Sequence, residues 1–137
     1  MARHVVCPAA EIAPGGRRIA TVNGREIGIF NLGGEFFALL NRCPHQGAPL
    51  CLGTQTGLVT SSEPGQFDYS RRGEMLKCPW HGWEYDIRTG QSWCDPKDTK
   101  VKAYPVSVEP GETLVRGPFV AERFAVAVEQ DYIVVDV

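Results

Sequence analysis

Apolar and polar positions alternate in short runs through the first forty residues. HVVC (4–7), RRIATV (17–22), REIGIFNL (25–32) and EFFALLN (35–41) are rich in β-branched and aromatic residues and read as strands. Asn23-Gly24 and Gly33-Gly34 separate the last three, and both dipeptides are strong hairpin signals. MLKC (75–78) and WEYDI (83–87) predict a strand pair joined by CPWHGW (78–83), with RTGQ (88–91) as the following turn. YPVSVEPGETLV (104–115) echoes FAVAVEQDYIVV (124–135) in its aromatic and valine placement, which predicts two similar strand pairs near the C-terminus. No stretch of ten or more residues carries a helical period. The expected fold class is all-β, with short helical turns at most.

Composition supports that reading and narrows the partners. The 15 glycines and 10 prolines imply many turns, and 43% hydrophobic with 22% charged residues is ordinary for a globular chain. A length of 137 suggests one domain over 1–137, with one site on one scaffold. The formal net charge is −2 and like charges form no long run, so nucleic acid and anionic membrane are poor partners. Neither a signal-peptide pattern nor a long apolar run occurs, so a cytoplasmic, unanchored protein is expected. Five cysteines in such a chain argue for thiols or metal ligands over a disulfide framework.

The chemistry is concentrated in two stretches. Cys43 and His45 stand two apart in CPHQGAPL (43–50), and Cys78 and His81 stand three apart in CPWHGW, with residues 46–77 between the pairs. Each spacing lets a tight loop offer two ligands to one centre, so two facing loops would make a four-ligand cage. Gly47 follows His45 by two and Gly82 follows His81 directly, and glycine permits the positive φ that a backbone wrapping an inorganic core requires. Pro44 and Pro79 follow the cysteines and have no N–H, so donors to the sulfurs must come from elsewhere in the loops. Two Cys and two His also suit a structural tetrahedral zinc, which metal analysis would separate from iron.

These loops resemble those of the Rieske [2Fe–2S] proteins, which read C-x-H and C-x2-H. The resemblance implies a domain of antiparallel sheets with a cluster-binding subdomain, here about 42–95, formed by the two loops. It implies one [2Fe–2S] cluster, with Cys43 and Cys78 as thiolate ligands of one iron and His45 and His81 as ligands of the other. Two thiolates and two neutral imidazoles leave the oxidised cluster uncharged, so it accepts an electron more readily than a four-thiolate cluster would. Ala48, Trp80 and Trp83 stand where the high-potential members of the family carry a disulfide and a serine, which implies a lower potential. Tyr85 occupies a position from which a tyrosine in those members donates to a ligand sulfur, offsetting part of that loss. "CPWHGWEYD" looks most like the Rieske domains of ring-hydroxylating oxygenases and their soluble ferredoxins. The spacer between the loops is longer than in those relatives, which suggests an inserted loop at about 54–73, and the polar stretch 60–74 reads as exposed loop.

An oxygenase active site needs a further iron held by two histidines and a carboxylate, and only His4 remains once His45 and His81 are committed. The implied role is therefore that of a one-electron carrier, a ferredoxin fed by a flavin-containing reductase and serving a terminal oxygenase. The alternative is a cluster-bearing subunit held permanently in an oxidoreductase complex, or a redox-sensing domain; a permanent subunit should show a large apolar face. Cys7, Cys51 and Cys94 read as packing thiols, with a Cys51 to Cys94 pairing left open, and His4 as a strand-end residue. Trp80 is expected to shield the cluster and Trp83 to pack in the core.

Overall fold

The computed structural model describes residues 3–44, 47–80, 82–92, 99–112 and 130–137, with the backbone alone described over 58–62 and 66–72. The described residues form ten strands: β1 (Arg3–Pro8), β2 (Arg17–Val22), β3 (Arg25–Leu32), β4 (Glu35–Leu40), β5 (Thr54–Glu63), β6 (Gln66–Lys77), β7 (Glu84–Asp86), β8 (Ala103–Tyr104), β9 (Val106–Pro110) and β10 (Asp131–Asp136). Two single 3-10 turns, Ala9–Glu11 and Leu50–Leu52, lie between strands, and Gly111 and Glu112 are helical. The sheet orders are β1-β10-β9, β2-β3-β4-β8 and β5-β6-β7. The all-β expectation therefore holds. The chain divides into two compact units, Met1–Ala38 with Tyr104–Val137, and Leu39–Ala103.

In the first unit the hairpin signals act as their chemistry dictates. Val22 pairs with Arg25 across Asn23 and Gly24, whose φ values of 50 and 75 are the two positive angles that a two-residue turn between right-twisted strands requires. β3 departs from simple alternation, because every residue from Ile27 to Leu32 is buried and both its faces are covered. Asn31 interrupts this apolar run and is satisfied twice. Its Nδ2 donates to the Ile12 carbonyl at 2.8 Å, and its Oδ1 accepts from the Gly34 N–H at 2.8 Å. Its backbone also exchanges bonds with Gly15 and Gly16, so one side chain ties the 12–16 turn and the 33–34 turn to the same strand. Val5, Tyr132 and Val134 form a buried cluster on β1 and β10. Of the C-terminal echo, β9 and β10 pair antiparallel, while residues 113–129 lie outside the described residues.

The second unit carries both cysteine loops. Its core includes Leu39, Leu50, Met75, Leu76, Tyr85 and Ile87, all with no measurable exposure. The stretch 60–74, expected as an exposed loop, is instead part of a long antiparallel hairpin in which β5 and β6 pair from Thr54 and Lys77 out to Glu63 and Gln66. The signal was present in the sequence. Pro64-Gly65 forms the tip, with Gly65 at φ 82, and Phe67 and Tyr69 alternate with polar residues beside it. The Ser and charge content of the stretch masks that alternation. β6 then pairs with β7, Lys77 opposite Glu84, so CPWHGW caps a hairpin as expected.

Candidate metal centre

The first loop leaves β4 through a turn in which Arg42 N–H donates to the Leu40 carbonyl at 2.8 Å. Cys43 N–H then donates to Ala48 O at 2.8 Å, and Gly47 N–H donates to Cys43 O at 2.7 Å. The second loop repeats the arrangement: Cys78 N–H donates to Trp83 O at 2.8 Å, and Gly82 N–H donates to Cys78 O at 3.0 Å. In both loops the cysteine N–H bonds five residues ahead and its carbonyl closes on a glycine four residues ahead. Gly47 and Gly82 have φ of 79 and 72, the left-handed conformation that closes each loop. Counted from the histidines the two glycines are offset by one; counted from the cysteines they are equivalent. The sequence signal that reveals this is C-P-x-x-G, written twice.

The matched loops set the two sulfurs in similar surroundings. Cys43 and Cys78 are 1% and 3% exposed, and neither is in a disulfide. Tyr85 on β7 is fully buried, and its hydroxyl lies 3.2 Å from Cys43 Sγ. Once Cys43 is a thiolate, as a metal ligand must be, only the phenol can donate in that contact. Two buried sulfurs on equivalent loops, one already facing a hydrogen-bond donor, fit a thiolate-ligated metal group. His45 and His81 lie outside the described residues.

The remaining candidates separate cleanly. Cys7 lies on β1, is 2% exposed, and its thiol is pushed up from an ordinary value of 9.0, chiefly by burial, with Arg18 acting in the opposite direction. Burial there disfavours the thiolate. Cys51 is buried, with its sulfur 3.7 Å from the Leu39 carbonyl oxygen and 3.9 Å from that of Leu40, and Cys94 lies outside the described residues. His4 sits within β1 opposite Val135 at 8% exposure, deeper than a strand-end residue. Trp83 is half-buried, but Trp80 is 57% exposed and presents much of its ring to solvent. Two residues escaped the sequence reading. Arg42 and Lys77 each stand immediately before a loop cysteine, and both side chains are exposed.

An all-β scaffold carrying two equivalent cysteine loops, with a buried tyrosine on one sulfur, is suited to a thiolate-ligated metal group. The chain belongs to the Rieske [2Fe-2S] domain family, whose sequence profile matches residues 2–105. It is 30% identical over 118 residues to the 3-phenylpropionate/cinnamic acid dioxygenase ferredoxin subunit of Shigella flexneri serotype 5b (strain 8401), covering 86% of this chain and 96% of that protein. Among solved structures it is similar to the Sphingomonas yanoikuyae B1 ferredoxin, at 27% identity and a TM-score of 0.58 over 78% of this chain and 90% of that one. It shares its fold with the ferredoxin of carbazole 1,9a-dioxygenase from Nocardioides aromaticivorans IC177, at 21% identity and a TM-score of 0.60 over 97% of each chain.

Proposed function

We propose that this chain is a Rieske-type ferredoxin, a one-electron carrier that takes an electron from a flavin-containing reductase and delivers it to a terminal oxygenase component. The observation that carries the reading is the pair of equivalent cysteine loops, in a chain that spans nearly the whole length of a relative named as a dioxygenase ferredoxin subunit. Cys43 and Cys78 are the thiolate ligands and His45 and His81 the imidazole ligands of one [2Fe–2S] cluster. When bound, such a cluster supplies reversible one-electron chemistry. The chain's own residues hold it and tune it. The loops keep both sulfurs out of water, and the Tyr85 hydroxyl donates to Cys43 Sγ, easing the build-up of negative charge there.

A carrier must also let its partners go. Among the described residues only Leu52, Trp80 and Val108 are large exposed hydrophobics, far from the broad apolar face of a permanently bound subunit. Among the described residues no helix is long and apolar enough to cross a membrane. The reading includes a cytoplasmic location, in keeping with cysteines kept as thiols.

Iron and sulfide analysis with an EPR spectrum of the dithionite-reduced protein tests the proposal. Two irons per chain and a low average g support it; one zinc and no colour overturn it. His81→Ala should abolish the optical and EPR signature, and survival of that signature would remove His81 from the ligand set.

A further inference from the structure

We infer that the cysteine loops carry a cationic docking face, with Arg42 and Lys77 beside exposed Leu52 and Trp80, that receives a carboxylate-bearing surface of a protein redox partner. The inference rests on the carrier reading and specifies how that carrier recognises its partners.

The two cations are placed alike. Each side chain runs from the residue before the cysteine to the glycine that closes the loop. A Cβ built on Gly47 would stand 3.5 Å from Arg42 Nε and 3.7 Å from its Nη2. A Cβ built on Gly82 would stand 3.0 Å from Lys77 Cε and 3.9 Å from its Nζ. The loops thus repeat not only their backbone bonds but also a positive charge at the glycine.

Three other cations are neutralised locally. Arg3 pairs with Glu109 at 2.7 Å, Arg88 with Glu74 at 2.8 Å, and Arg18 with Glu11. Among the described residues Arg42 and Lys77 form no ion pair, and Glu84, opposite Lys77 in the ladder, forms none with it. Leu52 and Trp80, 62% and 57% exposed, lie near Lys77. Leu52 adjoins Gly53, whose backbone approaches Lys77 so closely that a Cβ would fall 1.9 Å from the Lys77 carbonyl oxygen. Trp80 sits in the second loop, two residues after Cys78.

A small apolar centre with a charged rim is the anatomy of a transient interface, and Trp and Arg are the side chains that contribute most to one. The sign of the rim selects the partner. The chain as a whole carries −2, so the unpaired positive charges at the loops orient an acidic surface toward them rather than toward the rest of the molecule.

Two measurements on the cluster-bearing protein test this. In the first, NMR follows line broadening by hexacyanochromate(III), a paramagnetic trianion that exchanges no electron with the protein. Broadening is expected at the Leu52 methyl and Trp80 indole signals and should be lost in R42Q/K77Q with the EPR signal retained. Broadening centred elsewhere, or unchanged in that variant, overturns the face, as does salt-insensitive self-association that covers Leu52 and Trp80. In the second, the reduced wild-type protein gives one electron to ferricyanide, producing the oxidised protein and ferrocyanide. The rate should fall roughly tenfold between low and physiological salt, because opposite charges are being screened. A rate that rises with salt, the sign a net charge of −2 dictates, refutes the inference without any variant. A protein lacking the cluster EPR signal sinks the carrier reading instead, and the NMR mapping judges the cationic face regardless.

Discussion

Tyr85→Phe removes the hydrogen bond to Cys43 Sγ at the proposed centre. The ring stays, and so does its packing at zero exposure; only the hydroxyl 3.2 Å from Cys43 Sγ is removed. A hydrogen bond to a charged group is worth about 1.5–3 kcal/mol, and it strengthens as the acceptor becomes more negative. If about 1 kcal/mol of that differs between the oxidised and reduced forms, the midpoint potential falls by about 40 mV, since a one-electron couple moves 59 mV for each tenfold change in equilibrium constant. The sign follows from the donor: it stabilises the reduced form more, so its loss lowers the potential. An EPR-monitored redox titration of the wild type and variant measures the shift. Tyr132→Phe, which alters an equally buried ring on β10 in the other unit, should leave the potential unchanged. A Tyr85→Phe potential that stays fixed or rises would show that the phenol does not donate to a ligand sulfur.

Other perturbations read the scaffold. Gly90→Ala should destabilise strongly, because a Cβ there would meet the Val101 carbonyl oxygen at 2.2 Å, whereas Gly65→Ala meets nothing within 4 Å and should cost only about 1–2 kcal/mol of left-handed strain; urea unfolding of the two variants compares them. Asn31→Ala removes both side-chain bonds of a buried residue and should lower stability by about 2–4 kcal/mol, seen as a lower urea midpoint at unchanged slope. Cys7 binds its proton more tightly folded than unfolded, so its contribution is fully present below pH 9 and is lost as pH rises through the raised folded value. Cys7→Ala should therefore flatten the decline of stability on the alkaline side, measured by denaturant unfolding at several pH values.

The strands from β1 to β4 were legible because each is bounded by its own local chemistry. Asn23-Gly24 favours a two-residue turn through its own backbone preferences, and the runs beside it have no helical period. The hairpin of β5 and β6 differs from the expected loop because the polar composition of 60–74 hides Pro64-Gly65 and the Phe67/Tyr69 alternation. A strand in a long two-stranded ribbon can be polar on its surfaces, since its ladder bonds do not depend on side-chain type. The cysteine pairs were legible as a metal motif, yet Arg42 and Lys77 carried no signal, because a cation before a cysteine acquires meaning only from where its side chain goes.

The sequence by itself determined the all-β class, the early hairpins, and the residue types available to a metal, since backbone turn preferences and ligand chemistry are local properties. Only the tertiary structure decided that Tyr85 reaches Cys43 across 42 residues and that Arg42 and Lys77 form no ion pair among the described residues. Those are relations between distant segments, set by how strands pair and cores close, and no window of sequence contains them.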